Sequence, residues 1–221
     1  MLKQQRAIQT RRTVLDAAAR VFAANGYLAT SLSQILAEAG VTKGALYFHF
    51  ASKEDLARAV VLEQFAPIED PDATELPSGA EALQAAIDLT HQIARSLMDD
   101  PMMQASIRLV IEQSAFLDEP DAGPYLGWIS LFQGLFTEAQ RVGDIRAESD
   151  PATLARIVIG SFTGIQLVSG VLDGRTELPQ RIGDLWELVL PGLVPPRRRA
   201  RFRARPQPDV LARPMKAALS R

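Results

Sequence analysis

The chain contains no cysteine, two histidines and few aromatic residues. Without thiols there is no disulfide framework, no thiolate zinc site and no cysteine nucleophile. His49 and His91 lie far apart in sequence, so an imidazole-based metal site is not expected, nor is a cofactor. Catalytic signatures are missing too. There is no glycine-rich phosphate loop ending in Lys-Ser/Thr, no His-Glu-x-x-His and no Gly-x-Ser-x-Gly elbow. The acid pairs Asp99-Asp100 and Asp118-Glu119 flank prolines, where loop solvation accounts for them. His91 stands between Thr90 and Gln92 with no acid or base patterned beside it. We expect no enzyme. The apolar stretch Ile157 to Leu172 carries Ser161, Thr163, Gln166 and Ser169 and is short for a membrane span. The first dozen residues are polar and basic with no signal-peptide core behind them. A cytoplasmic chain without membrane contact is the expectation.

What is present is an ordinary globular balance: 221 residues, 47% apolar and 23% charged, enough for a small domain joined to a larger one. The net charge of -2 conceals segregation. Residues 1–66 hold eight Lys/Arg against five Asp/Glu, residues 67–190 seven against twenty, and residues 191–221 nine against one. A basic head on an acidic body suits a nucleic-acid reader, because phosphate attracts one end and repels the rest. For the basic tail, a solvated charge run explains the pattern equally well.

Nearly every segment has helical spacing, and none sustains a two-residue alternation, so the expected fold is all-α. Val14, Leu15, Ala18, Val21 and Phe22 form one stripe, stopped by Asn25-Gly26. Ser31 with Gln34 makes a capping-box pattern ahead of Leu32, Ile35, Leu36 and Ala39, and Gly40 ends that helix. Thr42 caps a third short helix through Phe48, and Ser52 opens a fourth through about Phe65. Pro67 to Pro77 is acidic and proline-interrupted, a linker unable to continue a helix. Further helices are expected over 80–98, 101–116, 124–142, 151–172 and 179–190. The domains read as a head over 1–66, a linker over 67–78, a helical bundle over 79–194 and a basic, mobile tail over 195–221.

Two short helices joined by a glycine-containing turn make a helix-turn-helix, here 31–39, Gly40-Val41 and 42–48. With Val41 and Leu46 turned inward, Thr42, Lys43, Gly44, Tyr47 and His49 are left to face DNA. Lys43 suits a guanine edge or a phosphate, and a bare Gly44 lets the helix start approach closely. Tyr47 and His49 can donate to phosphates, and the Tyr47 ring can meet a thymine methyl. Lys53 and the first-helix cations Arg6, Arg11 and Arg12 would clamp the backbone on either side. The competing reading is a plain three-helix core into which Tyr47, Phe48 and Phe50 pack.

The run TSLSQILAEAGVTKGALYFHFASKEDL resembles the DNA-binding domain of the TetR family of transcriptional repressors, continuously over about residues 8–65. The resemblance implies a homodimer on a palindromic, inverted-repeat operator, with the third helix in the major groove and release by a ligand of the C-terminal domain. Within the family, Lys43-Gly44-Ala45-Leu46-Tyr47-Phe48-His49-Phe50 is similar to the γ-butyrolactone autoregulator receptors, which control secondary metabolism.

In the C-terminal half, Trp128 can be core or can stack on a ligand. The resemblance to butyrolactone receptors implies a pocket tryptophan at its position. Thr163, in a helix softened by Gly160 and Gly164, and Gln64, at the end of the fourth helix, are further candidates for a small hydrophobic ligand. The helices over 151–172 and 179–190 are apolar on more than one side and are the expected dimer faces: Leu154, Ile157, Val158, Leu167, Val168 and Val171 on the first, and Ile182, Leu185, Trp186, Val189 and Leu190 on the second. Two other functions fit this sequence: a repressor that senses a different drug or metabolite, for example in an efflux system, and a helical interaction module that does not bind DNA.

Overall fold

A computed structural model describes residues 2–69 and 77–206, and among these every regular element is helical. Nine α-helices run in order: α1 Leu2–Asn25, α2 Leu32–Ala39, α3 Lys43–His49, α4 Lys53–Glu69, α5 Ala82–Asp99, α6 Pro101–Ile111, α7 Gly123–Arg141, α8 Pro151–Asp173 and α9 Leu178–Leu193. They form two compact units. The first comprises Met1–Ala66 with Asp100–Pro124, and the second Pro67–Asp99 with Tyr125–Arg221. Helix α6, read from sequence as part of the C-terminal bundle, therefore packs with the head.

In the first unit α1 is the central element, packed against α2, α3 and α6. Its buried stripe is Val14, Leu15, Ala18 and Phe22, the three- and four-residue spacing of an amphipathic helix. Gly26 ends it at φ 76°, where a Cβ would come within 2.7 Å of the Arg108 and Glu112 side chains. Conformation and space both demand glycine there. The capping box of α2 is complete: Ser31 Oγ accepts from Gln34 N, and Gln34 Oε1 accepts from Ser31 N. Gly40 closes α2 in the left-handed region. Helix α4 continues through Pro67 to Glu69, further than the proline run led us to expect. Pro67 has no N–H to donate to the carbonyl four residues back, so the last turn of α4 goes on with one ladder bond fewer. The rest of the expected linker, 70–76, lies outside the described residues. Helix α6 stops at Ile111 rather than Phe116, because Glu112 leaves the α region and a 3-10 turn over Gln113–Ala115 follows.

The second unit packs α5, α8 and α9 together. Trp186 is fully buried, and its Nε1 donates to Thr90 Oγ1 at 2.9 Å. Helix α8 is long and apolar enough to cross a membrane by length and composition. One stripe of it, including Val158, Ile159, Phe162 and Gln166, is buried in the unit. Of the expected dimer faces, Ile157, Leu167, Val168 and Val171 are exposed, joined by Leu172 and Leu188. Val158, Ile182, Trp186 and Leu190 instead turn inward.

The basic tail is not free over 195–206, contrary to the sequence reading. Pro196–Arg201 is a 3-10 helix. Arg198 and Arg201 both donate to Oδ1 of the fully buried Asp144, at 2.7 and 2.9 Å. Arg205 reaches Asp184 and Glu187 at 2.8 Å each, and His91 Nε2 donates to Ala204 O at 2.8 Å. Three of the tail's cations thus meet carboxylates of the same unit, and there pairing replaces solvation. Residues 207–221 lie outside the described residues.

Two outcomes are expected. Replacing both Arg198 and Arg201 by Ala strands a buried carboxylate and should cost about 3 kcal/mol in denaturant unfolding, whereas either single variant, with one partner left, should cost less. His91 is fully buried, and burial pushes its imidazole pKa down, with the Arg205 charge adding to the effect. A folded pKa below the unfolded value of about 6.5 means the unfolded chain binds more protons in between. Stability conferred by neutral His91 is therefore complete above pH ~6.5 and declines as pH falls below it. His91→Gln should flatten the dependence of Tm on pH between about 5 and 7.

Candidate nucleic-acid interface

Helix α3 has seven residues, too few to hold itself in water. Three devices fix it. Thr42 Oγ1 accepts from Ala45 N at 3.3 Å, Phe50 N donates to Leu46 O at 2.9 Å, and the Leu46 side chain is fully buried. Phe50 is buried as well, with the Arg11 guanidinium 5.3 Å from its ring centroid. The remaining residues of α3 face outward. Lys43 and Gly44 are exposed, Tyr47 is 45% and Phe48 77% exposed, and His49 is half-buried with its ring edge-on to Phe48. The plain-core alternative thus holds for Phe50 and fails for Tyr47 and Phe48.

Of the DNA-facing candidates, Thr42, Lys43, Gly44, Tyr47 and His49 come together on this one short helix and its cap. Lys43 Nζ lies 5.7 Å from the Tyr47 ring centroid, which keeps the cation on the aromatic side of the helix. Nothing lies within 4 Å of where a Gly44 Cβ would stand, so no neighbour in the chain requires glycine there.

The flanking cations behave differently. Arg11 is exposed, its guanidinium against the Phe50 ring, and it forms no ion pair among the described residues. Arg12 pairs with Asp16 and Glu63; burial lowers its pKa, but the two carboxylates outweigh that and raise it. Its charge is therefore spent within the head. Lys53 is turned inward. Its Nζ donates to Tyr27 O and Thr30 O at 2.9 and 2.8 Å and lies 4.1 Å from the Tyr27 ring centroid. Desolvation lowers its pKa. Lys53 thus pins the turn that leads into α2, where the sequence reading had it clamping phosphate.

Sequence reasoning missed a second brace on the same turn. Arg108 of α6 donates through Nη1 to Ala23 O and Ala24 O, at 2.9 and 3.1 Å, and through Nε to Glu112 Oε1 at 2.8 Å. Glu112 Oε2 accepts from Tyr27 N at 2.8 Å. The orphan carbonyls at the end of α1 and the donor just beyond it are thereby satisfied from α6. The only signal in the sequence is the i, i+4 spacing of Arg108 and Glu112, which by itself indicates a surface pair.

Trp128 is buried in the α7 part of the second unit. Thr163 Oγ1 donates to Ile159 O of its own helix at 2.9 Å. The Gln64 side chain lies outside the described residues. Beside Thr163, Gln166 is fully buried; its Oε1 accepts from Arg175, and its Nε2 has no partner.

Residues 14–60 match the family model of bacterial regulatory proteins of the tetR family, and residues 80–195 match a tetracyclin repressor-like C-terminal domain. The A-factor receptor protein of Streptomyces griseus is 40% identical over 196 residues, which is 89% of this chain and 68% of that protein. Among solved structures, TylP, a TetR regulator from Streptomyces fradiae, superposes with a TM-score of 0.79 at 35% identity, covering 97% of this chain and 99% of its own. A gamma-butyrolactone receptor described as ArpA-like gives a TM-score of 0.70 at 33% identity, with 97% and 98% covered.

Gly44→Ala separates the two demands on α3. Open space and better helix propensity should leave stability unchanged or raise it by about 0.5 kcal/mol. Operator affinity should fall by about tenfold or more as the added methyl holds the helix off the duplex. Thermal unfolding and a titrated gel shift on the same samples check both.

Proposed function

The chain belongs to the TetR family of bacterial regulatory proteins, and from that premise we propose that it is a homodimeric repressor. In this reading it holds an inverted-repeat operator through α3 and releases it when a γ-butyrolactone-like ligand enters the C-terminal bundle. The observation that carries the ligand class is the extent of the likeness to the A-factor receptor protein, which spans 89% of this chain and so both halves of it. A likeness confined to the head would speak for DNA binding alone.

The DNA-binding role falls to residues 1–66, with Thr42, Lys43, Gly44, Tyr47 and His49 at the groove and Arg11 beside it. Arg12 and Lys53 act by holding the head together. The ligand-binding and dimerisation role falls to 79–194, with α6 carried on the head. Trp128, Thr163 and Gln64 remain the ligand candidates. The exposed apolar residues of α8 and α9 are the proposed dimer face, because such a stripe in water asks for a partner, and a two-fold interface is self-complementary. Two α3 helices would then enter the groove about one helical turn apart, ~34 Å, or a multiple of it. A regulator of this kind needs no catalysis and works in the cytoplasm, where the DNA is.

A second reading, release by a less polar drug or metabolite, is favoured by one feature: Thr163 already satisfies its hydroxyl within α8. It then offers a ligand only a methyl group and an acceptor.

The test is a gel shift on the DNA upstream of the gene, titrated with a 2-acyl-γ-butyrolactone and, in parallel, with an apolar drug such as triclosan. The proposal expects binding that weakens steeply with salt and release by the lactone alone. Trp128→Ala should bind the same duplex as tightly and require at least about tenfold more lactone for half-release. Release by the drug and not the lactone would move the protein to the second reading, and unchanged release of the Trp128 variant would take Trp128 out of the pocket.

A further inference from the structure

The outermost edge of α3 is not formed by the residues that the sequence singles out for the bases. Leu46 is fully buried and marks the inward direction. Successive helical residues turn by about 100°, which sets Gly44 and Phe48 each about 160° away from Leu46, neighbours at i and i+4 on the far side. Lys43 and Tyr47 flank this ridge on one side, Ala45 and His49 on the other. Exposure follows the same order, with Phe48 more exposed than Tyr47. The Phe48 ring is steadied by His49, their centroids 4.9 Å apart at an interplanar angle of 85°.

A phenyl ring held out into water on a rigid element has one use, which is to be desolvated by an apolar partner. It can neither donate to a phosphate nor accept from a base edge. In the major groove the apolar feature of a base edge is the thymine C5-methyl group. The surroundings favour nucleic acid over an apolar protein patch: His49 packs edge-on to the ring, Lys43 stands over Tyr47 on the same short helix, and the head carries net positive charge. We propose that Phe48 is a specificity-determining residue that reads the 5-methyl group of one thymine in each operator half-site. Gly44, one turn earlier on the same ridge, is bare so that the helix can sit deep enough for that contact. The inference rests on the reading of α3 as the groove-entering helix.

The probe is the duplex that the wild-type protein selects from a random-sequence pool, remade with each thymine in turn replaced by deoxyuridine. That change keeps the hydrogen-bonding edge and removes only the methyl group. One position per half-site should weaken wild-type binding by about fourfold, the ratio for one buried methyl. Phe48→Ala should bind the parent duplex more weakly and show no penalty at that position, while Phe48→Leu, which keeps an apolar contact, should recover part of it. Both variants should match the wild type in helix content and oligomeric state, since the ring supports nothing inside the head. A deoxyuridine penalty equal in wild type and Phe48→Ala would overturn the proposal, as would the absence of any penalised thymine. Undiminished binding by Phe48→Ala would do so too, leaving Lys43 and Tyr47 as the readers and this ring for a protein partner. If no duplex is selected at all, the operator reading fails and takes this inference with it.

Discussion

Burial of Leu46 is the constraint on which the rest of the head depends. A seven-residue helix has almost no stability of its own, so α3 exists because one side chain is anchored in the core and its two ends are capped by Thr42 and Phe50. That single inward direction fixes every outward one. Because the helix is short, it presents one ridge and two flanks and nothing else. The chemistry of the surface follows from six residues: a cation and a phenol on one side, a methyl and an imidazole on the other, glycine and phenylalanine between.

Around this anchor the head spends its other charges on itself. Lys53 and the Arg108–Glu112 pair hold the Gly26–Thr30 turn from two directions, and Arg12 is neutralised by Asp16 and Glu63. Rigidity has a purpose here. A contact as short-ranged as a methyl against a ring, or a lysine on a base edge, discriminates only if the helix returns to the same depth each time. Cations committed to backbone carbonyls serve that end better than cations loose on the surface, and they add no sequence-blind affinity.

Much of this was legible in the sequence because local rules wrote it. The capping box of α2, Gly40 as its stop, Thr42 as the cap of α3 and Asp150 before Pro151 are all signals between residues within four positions of one another. What was not legible depends on distant partners. Nothing near Arg198 reveals that it meets Asp144, and nothing near Lys53 reveals that the carbonyls of Tyr27 and Thr30 lie within reach. Residue type misled at Phe48 for a related reason. A phenyl group draws attention as core, yet helical phase relative to Leu46 leaves this one 77% exposed.

The position of α6 bears on how the turn ahead of α2 is held. The chain passes from one compact unit to the other at Ala66–Pro67, Asp99–Asp100 and Pro124–Tyr125, and two of those crossings fall inside helices, α4 and α7. The third crossing leads directly into α6, whose Arg108 and Glu112 are bonded to the end of α1 and to Tyr27. Tyr27 O is in turn held by Lys53 at the start of α4. The turn that precedes α2 is therefore gripped by two elements of the first unit, α4 and α6. Displacing either one relative to the other must strain or break hydrogen bonds at Ala23, Ala24, Tyr27 or Thr30, and these are what set the angle at which α2 and α3 leave α1. The brace that makes the head rigid is thus built within the first unit, from α1, α4 and α6.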